Sequence, residues 1–387
     1  MRLGDCGKTN LHTYSDKEKW SLIRYLDTGS ITEGRIDEIQ TLYPGVDKIP
    51  SRARRKASVG DILFSTVRPN QKHYGIIEAG TENLLVSTGF TVVTVDTTIA
   101  DPYFIYYYLT QSSVIESLQA IAEQSTSTYP SIKPSDIEDI ELDLPELETQ
   151  KKIGSTLRML DRKIALNEEI NDNLYAQAKA IFDNHFINID AIPAGWRKGN
   201  LLDIANYLNG LAMQKFRPQG HEIGLPVLKI KELRQGSCDD SSELCSLSIK
   251  PEYIINNGDV VFSWSGSLLV DIWCGGTCGL NQHLFKVTSD VYDKWFYYLW
   301  TAHHLARFIA IAADKATTMG HIKREELAKA EVLIPCEEDY TSFNSIMQPI
   351  FELIISNRIE SRKLAALRDE LLPKLMTGEI DVSDVQL

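Results

Sequence analysis

Side chains suited to contacting nucleic acid occur together in a short polar segment near residue 70. The segment reads Arg-Pro-Asn-Gln-Lys-His and follows an apolar stretch that begins at Gly60. Arginine and lysine reach guanine edges or phosphates, and asparagine and glutamine can pair with adenine. An ordinary solvated loop can have the same composition, so that interpretation stays open. The candidates here are Arg68, Asn70, Gln71, Lys72 and His73.

Two basic clusters carry charge suited to phosphate groups. Phosphate contacts position a protein on DNA without reading its sequence. A solvated run of charges is the alternative interpretation for both clusters. The first cluster comprises Arg52, Arg54, Arg55 and Lys56, and the second comprises Lys215 and Arg217.

Further polar segments supply a second set of candidates. Ser263 to Ser267 follows an apolar stretch that begins at Gly258, just as Arg68 to His73 follows the stretch at Gly60. The two segments differ wholly in sequence, as expected if they contact different bases. The second of these segments supplies Ser263, Trp264 and Ser265 as candidates. The polar segments Ser125–Ser131 and Thr317–Lys323 are a second choice for DNA contact and supply Ser127, Tyr129, Thr318 and Lys323, and His283 is a further candidate.

Motifs for catalysis or for a metal site are missing from the sequence. There is no Asn-Pro-Pro motif of an amino-methyltransferase and no glycine-rich phosphate loop, and Trp264-Ser265-Gly266 lacks the first glycine of a nucleophile elbow. Cys274 and Cys278, with cysteines upstream, miss the two-residue gap of a zinc ligand pair. We therefore expect no catalytic residue, no metal and no cofactor.

Composition sets further bounds. The net charge of −13 argues against nucleic-acid binding by the molecule as a whole, although a local basic cluster can still hold phosphates. No apolar run is long enough to span a membrane. The N-terminal residues lack the apolar stretch of a signal peptide. The six scattered cysteines favour reduced thiols, so we expect a cytoplasmic protein without membrane contact.

Two helical segments related by an offset of 190 residues organise these features. In the first, from about Glu146 to Phe186, apolar residues recur at steps of three and four, which is the seam of a coiled coil. Polar residues interrupt the seam at Asn167 and Asn171, and the offset places Asn357 and Ser361 at the same positions of the second segment. Antiparallel pairing would bring Asn167 to Ser361 and Asn171 to Asn357, and polar seam residues fix register.

The segments between the helices repeat as well. Gly258-Asp-Val-Val-Phe-Ser matches Gly60-Asp-Ile-Leu-Phe-Ser, and Pro335 matches Pro145. Within the first repeat, the pattern predicts a helix from Asp101 to Leu118 and a half-buried strand from Ile137 to Leu144. The chain is therefore expected to alternate a globular unit with a long helix, twice.

Three motifs carry a resemblance to a known family. Pro145-Glu-Leu-Glu-Thr-Gln-Lys-Lys-Ile-Gly and Leu160-Asp-Arg-Lys-Ile-Ala-Leu-Asn resemble the central conserved region of type I restriction-modification specificity subunits. Leu371-Leu-Pro-Lys-Leu-Met-Thr-Gly-Glu-Ile resembles their C-terminal conserved region, and the paired Gly-Asp entries look like those of their target-recognition domains. The resemblance is weakest in residues 1–55 and 200–255.

The resemblance implies an α+β fold with an internal pseudo-two-fold repeat. Target-recognition domains at 1–145 and 189–335 would be separated by long antiparallel coiled-coil helices at 146–188 and 336–387. It further implies a non-catalytic subunit that reads a bipartite double-stranded DNA target. Two methyltransferase subunits would dock on the helices, and a restriction or translocase subunit is a further partner that the sequence leaves open.

Two other functions stay open at this point. One is a coiled-coil scaffold without DNA readout, and the other is a free-standing DNA-modifying enzyme. The seam carries one more expectation, because its first helix is centred on Asn167 and Asn171. We therefore expect a chain truncated at residue 190 to form a two-fold dimer, which requires a palindromic target made of the first half-site twice in inverted orientation.

Overall fold

The computed structural model describes residues 1–80, 82–125, 129–314 and 321–382. Two compact units are formed by Met1–Arg162 with Ala365–Leu387 and by Lys163–Leu364, here called the first and second units. The first long helix, Leu147–Phe182, and the second long helix, Glu337–Met376, each contribute to both units. In the described ranges, no helix is long and apolar enough to cross a membrane.

The first unit contains two four-stranded sheets. One has the strand order Gly7–Thr9, Phe90–Val95, Ile62–Ser65, Tyr74–Ile76, and all its pairs are antiparallel. The other has the order Gln40–Leu42, Ile23–Leu26, Leu84–Ser87, Ala53–Lys56, with one parallel pair at its centre. A short hairpin joins Ile31–Thr32 to Arg35–Ile36. The α-helices outside the long helices are Leu3–Cys6, Pro102–Leu109, Ser112–Glu123 and Pro134–Glu138.

The second unit repeats this topology. Its first sheet has the order Asn206–Asn209, Leu284–Thr288, Asp259–Ser263, Leu269–Trp273, and its second has Leu244–Cys245, Leu225–Leu228, Cys278–Leu280, Ile254–Ile255. The second sheet again has a parallel pair at its centre. Arg197–Asn200 pairs with Glu331–Ile334. The α-helices outside the long helices are Leu201–Ile204, Ile230–Gln235, Lys294–Asp314 and Arg324–Ala328.

The Gly-Asp turns that lead into the strands Ile62–Ser65 and Asp259–Ser263 have the same local structure in both units. Gly60 has φ +90° and Gly258 has φ +87°, a left-handed conformation that favours glycine. The Asp61 carboxylate accepts a hydrogen bond from the Ser58 backbone N–H at 2.7 Å, and Asp259 accepts one from Asn256 at 2.8 Å. The repeated motif therefore encodes one local turn that directs a buried strand toward the polar segment after it.

Two local expectations from the sequence are wrong. The expected helix from Asp101 to Leu118 is two helices, because the side chains of Thr110 and Gln111 hydrogen-bond the last carbonyls of Pro102–Leu109 and end it. The expected strand from Ile137 to Leu144 begins inside the helix Pro134–Glu138, where Pro134 occupies the first helical position and favours a helical turn. Only an isolated bridge at Glu141 pairs this segment with extended backbone.

The second long helix contains two prolines. It continues through Pro349 and Pro373, so neither residue begins or ends it. The helix ends just before Gly378, which has φ +73° and whose N–H donates to the Leu375 carbonyl at 3.3 Å.

Within the second unit, polar seam residues of the two long helices meet. Asn167 Nδ2 donates to Ser361 Oγ at 3.2 Å and to Glu360 Oε2 at 2.8 Å. Asn357 Nδ2 donates to Asn171 Oδ1 at 3.0 Å. These are the residue pairs that antiparallel alignment predicts. Asn167 is fully buried, and its Oδ1 has no hydrogen-bond partner among the described residues.

The start of each long helix is fastened to a helix of its own unit. In the first unit the buried side chain of Gln150 accepts from the Asp101 backbone N–H at 3.0 Å. In the second unit the Tyr340 hydroxyl accepts from the Asp293 backbone N–H at 2.6 Å and donates to its carboxylate at 3.0 Å. Asp101 and Asp293 immediately precede the helices Pro102–Leu109 and Lys294–Asp314, so each contact attaches one of these helices to a long helix.

Candidate nucleic-acid interface

In the first unit, the two polar loops singled out from the sequence lie side by side. Val67 forms an antiparallel bridge with Ser131. The Arg68 backbone N–H donates to the Pro130 carbonyl at 3.0 Å, and Ile132 donates to the Thr66 carbonyl at 2.9 Å. Segments far apart in sequence are therefore joined into one surface, which we call the first loop pair, residues 66–73 with 129–132.

Arg68 and Tyr129 form the exposed centre of the first loop pair. The Arg68 guanidinium lies 5.3 Å from the centroid of the Tyr129 ring, and Tyr129 is 57% exposed. Arg68 has φ +48°, a conformation that costs a residue with a side chain on the order of 1 kcal/mol or more. Such strain concentrates at binding sites. The guanidinium is thus presented on an aromatic ring, where it can still reach a base edge or a phosphate.

Some of the other residues of the first loop pair hold the loop in place, and others are exposed to solvent. His73 Nδ1 lies 2.7 Å from the Ile31 carbonyl, and Lys72 pairs with Glu33. Asn70 and Gln71 are exposed in the short helical turn Pro69–Gln71. Asn70 and Gln71 can therefore meet a partner directly, whereas His73 contributes to holding the loop in place. Ser127 lies outside the described residues.

The basic cluster of the first unit is less available than the sequence suggests. Arg55 Nη1 donates to Asn10 Oδ1, which also accepts from the Val92 backbone N–H at 3.0 Å. Burial lowers the pKa of Arg55. Arg55 is therefore withdrawn as a phosphate contact, because it is half-buried and bonded inside the unit.

The other three members of this cluster differ in exposure. Lys56 pairs with Glu18 and lies 5.2 Å from the Trp20 ring centroid. Its hydrogen bond lowers the pKa of Glu18. Arg52 is exposed and Arg54 is half-buried. Arg52 therefore keeps the best access to solvent, and Lys56 could reach a phosphate only by leaving Glu18.

The second unit joins its polar loops in the same way. Ser265 bridges His321, and the Ile322 backbone N–H donates to the Trp264 carbonyl at 3.1 Å. The Trp264 ring centroid lies 6.1 Å from those of both His283 and His321. Trp264 Nε1 donates to Asn209 Oδ1 at 3.0 Å. We call this surface the second loop pair, residues 263–267 with 321–323.

Two serines proposed as contacts are buried supports. Ser263 is fully buried, and its hydroxyl donates to the Ser265 carbonyl at 3.2 Å. Ser65 in the first unit makes the equivalent bond to Val67 at 3.0 Å. Ser265 is 5% exposed, and its hydroxyl lies 3.0 Å from His283 Nδ1. A base cannot reach the buried Ser263. Ser265 is also buried and can influence a bound partner only by positioning His283. The prediction that these two serines contact DNA directly is therefore wrong.

The remaining candidates of the second unit are Lys323 of its loop pair, Thr318 and the basic pair Lys215 and Arg217. Lys323 is exposed at the N-cap of the helix Arg324–Ala328. Thr318 lies outside the described residues. Lys215 is exposed, whereas Arg217 pairs with Glu243 at 2.6 Å.

One basic groove in the second unit was missed from the sequence. It has a volume of about 430 Å³, and its lining includes Lys229, Lys231 and Gln282 beside Arg217 and His283. Lys229 pairs with Glu243, and its hydrogen bond lowers the pKa of that carboxyl. Lys229 is the N-cap and Lys231 lies in the first turn of the helix Ile230–Gln235, so no regular spacing in the sequence marked the two lysines as neighbours.

Metal binding has no support among the described residues, where no group of three or more histidine, cysteine or acidic side chains is arranged to hold an ion. All six cysteines are thiols. Burial raises the pKa of Cys245 and of Cys274, whereas a hydrogen bond with Cys278 lowers the pKa of Cys238.

Comparison with known proteins identifies the kind of protein that shares this arrangement. Residues 53–176 match the family model described as the type I restriction modification DNA specificity domain. The specificity subunit of the type I restriction enzyme HindI from Haemophilus influenzae is 21% identical, over 98% of this chain and 98% of that protein. The MjaIX specificity subunit from Methanocaldococcus jannaschii is 26% identical, over 84% of this chain and 79% of that protein.

A solved structure extends the likeness to the fold. The crystal structure of a type I restriction-modification system S subunit from M. genitalium has a TM-score of 0.55 at 14% identity, covering 97% of this chain and 95% of that chain. The names of the relatives agree with the expectation of a specificity subunit and not a catalytic one. The resemblance carried by the sequence motifs is confirmed: residues 53–176 match the type I restriction modification DNA specificity domain, and nearly the whole chain is similar to type I restriction enzyme specificity subunits.

Proposed function

We propose that this chain is the DNA-reading subunit of a type I restriction-modification complex, and that it recognises a bipartite target. The first loop pair would read one half-site and the second loop pair the other. One observation carries the proposal: the bridge Val67 to Ser131 recurs as Ser265 to His321, with different exposed side chains on the same framework. A repeated scaffold with variable tips is what two independent readers of different sequences require.

The proposed architecture places the two recognition domains at opposite ends of an antiparallel helical spacer. Support comes from the seam contacts of Asn167 and Asn171 and from the fastening of each long helix at Gln150 and Tyr340. A reader fixed on a stiff helix holds its half-site at a defined distance. A spacer of this kind would select the length of the DNA between the half-sites.

Arg68 provides the test of base reading in the first unit. If the Arg68 guanidinium contacts a guanine edge, Arg68→Ala should cost roughly 1–3 kcal/mol of binding and relax selectivity at one base position. If it contacts a phosphate, the variant should weaken all sequences alike and reduce the salt slope by about 0.9. Measurement of binding to a panel of single-base target variants at several salt concentrations separates the two.

Matched controls make that experiment decisive. Lys198→Ala removes an exposed cation that pairs with Glu331 in the second unit, and it should leave first-half-site selectivity unchanged. Arg52→Ala should lower the salt slope without changing base preference. If Arg68→Ala changes neither selectivity nor salt dependence, the first loop pair does not contact DNA.

For docking of methyltransferase subunits, we propose apolar residues on the exposed faces of the long helices. Met159 and Leu166 are 53% and 50% exposed and stand seven residues apart on the first long helix. Ile346 and Leu353, 50% and 46% exposed, have the same spacing on the second. Residues seven apart lie on one face of a helix. Exposed apolar stripes of this kind favour a protein partner over solvent.

The docking proposal is tested with charge insertions. Met159→Glu with Leu166→Glu should abolish co-purification with the methyltransferase subunit, because a buried unpaired carboxylate opposes association. Gln177→Glu, which adds the same charge at an exposed polar position of that helix, is the control and should retain it. If the doubly substituted variant and the control both still co-purify with the methyltransferase subunit, the docking surface lies elsewhere.

A further inference from the structure

An ion pair joins the two long helices within the first unit. Arg368 Nη1 donates to Asp161 Oδ1 at 2.7 Å, and the Tyr107 hydroxyl donates to Asp161 Oδ2 at 2.6 Å. The Arg368 and Asp161 side chains are only 27% and 31% exposed. Arg368 also donates to Asp369. Both oxygens of the Asp161 carboxylate are therefore occupied, and the pair is held in one geometry.

The protonation states fit this arrangement. Burial alone would lower the pKa of Arg368, but Asp161 raises it above its ordinary value. Burial raises the pKa of Tyr107, and Asp161 raises it further. Tyr107 therefore remains a hydrogen-bond donor, and Arg368 remains a cation.

The internal repeat assigns positions in the second unit that are equivalent to Asp161 and Arg368, and different residues occupy them. An offset of 190 residues relates Asp161 to Phe351 and Ala178 to Arg368. In the second unit, Ala178 and Phe351 are 0% and 3% exposed and belong to one apolar cluster. The same two repeat positions thus hold an ion pair in the first unit and two buried apolar residues of one cluster in the second.

This asymmetry bears on self-pairing of the first long helix. In such a pair, Asn167 of one copy would face Asn171 of the other, so the seam alone permits it. However, the repeat places Ala178 where Arg368 stands, so Asp161 would face Ala178 at both ends. Two partly buried carboxylates would lose their cation. A self-pair of the second long helix would likewise set Arg368 against Phe351 twice.

We propose that the Asp161–Arg368 pair selects the pairing partner: it makes the first long helix pair with the second long helix of its own chain in preference to a second copy of itself. The Asp161–Arg368 ion pair adds little free energy to the pairing of the two long helices within one chain. When a long helix pairs with its own copy, however, two such charges lose their partners, so the cost of the wrong pairing is incurred twice. The inference concerns helix pairing only and is independent of DNA recognition. It also limits the expectation that a chain ending at residue 190 dimerises readily.

The test starts from the intact chain, cut once after purification. A protease site is placed among the exposed residues 191–195 between the first long helix and the strand Arg197–Asn200. The cut protein is held near its unfolding midpoint, returned to native conditions and examined by native mass spectrometry. We expect the one-to-one complex of the two pieces to exceed each piece paired with itself by about tenfold, since two partly buried charge pairs separate the states.

The decisive variant is Asp161→Leu with Arg368→Leu, which keeps an apolar seam and removes the charges. Its pieces should redistribute, so that self-paired species approach the one-to-one complex in amount. Tyr107→Phe removes the hydroxyl bond and leaves the ion pair, so it should behave as the unaltered chain. Redistribution by the unaltered chain, or exclusive one-to-one pairing by the doubly apolar variant, would overturn the proposal.

A charge-reversal mixture provides a second readout that does not depend on the apolar variant. Cut chains carrying Asp161→Arg alone and Arg368→Asp alone are mixed and refolded together. Pieces that carry the Asp161→Arg substitution should pair with pieces that carry the Arg368→Asp substitution, and unaltered pieces should pair with each other. A statistical mixture of all four combinations would show that the pair does not select partners.

Discussion

Removal of the Arg358 side chain should destabilise the second unit strongly. Its guanidinium donates to both carboxylate oxygens of Asp271, at 2.9 and 2.7 Å, and to the Ile272 carbonyl at 2.7 Å. It thereby fastens the strand Leu269–Trp273 to the second long helix. Arg358→Ala would leave a carboxylate and a backbone carbonyl without these partners.

The magnitude follows from the burial of the pair. The Arg358 and Asp271 side chains are 30% and 24% exposed. Breaking a fully buried pair costs about 3–5 kcal/mol, whereas an exposed pair contributes about 0–1 kcal/mol. For a pair that is roughly three-quarters buried, we expect Arg358→Ala to lower the free energy of unfolding of the second unit by about 2–3 kcal/mol.

Tryptophan fluorescence during urea unfolding measures this unit selectively. Five tryptophans belong to the second unit and one to the first: Trp196, Trp264, Trp273, Trp295 and Trp300 against Trp20. Lys363→Ala, an exposed cation on the same helix, is the matched control and should change stability by less than about 0.5 kcal/mol. If Arg358→Ala has no larger effect than Lys363→Ala, the argument from burial and bidentate geometry is refuted.

Two further predictions concern the seam and pH. Asn167→Leu should raise the urea midpoint of unfolding, because it removes a buried polar group whose oxygen has no hydrogen-bond partner among the described residues. The same variant should show faster hydrogen exchange along the seam, because the register of the helices is less well fixed. A lower urea midpoint would contradict this prediction. Burial lowers the pKa of His304 below 6.5, so the unfolded chain gains a proton at a higher pH than the folded one. Stability should therefore be fully present above about pH 6.5 and fall as the pH drops below that value. His304→Gln, which can still donate to the Glu331 carbonyl, should reduce that pH dependence in urea titrations at fixed salt.

The internal repeat made much of the architecture predictable. Periodicity located both long helices, and the shared polar interruption indicated which residues of the seam would meet. Gly60 and Gly258 marked strand entries because glycine is the residue that most readily adopts their positive φ. The placement of loops after equivalent strands also indicated where exposed side chains would gather.

Local competition between hydrogen-bond partners was harder to foresee. Thr110 and Gln111 end a helix through their own side chains, which a periodic pattern does not register. Arg55 is in the same basic run as Arg52, but its position on a strand turns it toward Asn10. A run of charged residues in the sequence shows that a segment is charged, but it does not show which of the side chains face inward.

Ser263 shows how the internal repeat distinguishes structural residues from candidate contacts. Serine occupies the equivalent position 65 of the first unit, and both hydroxyls bond the carbonyl two residues ahead. Residues that are identical in both units suit a shared structural role, since two readers of different bases must differ where they touch DNA. The differing residues, such as Arg68 and Trp264, are therefore the better candidates for base contact.

The central claim is that each unit reads its own half-site, and mapping of methylated bases tests it most directly. Residues 1–145 of this chain would be replaced by the corresponding residues of a relative with a different target, and the chimera expressed with the methyltransferase subunits. Sequencing of the host DNA should show one half-site exchanged and the other half-site and its spacing unchanged. A change in both half-sites, or in neither, would contradict independent reading by the two units.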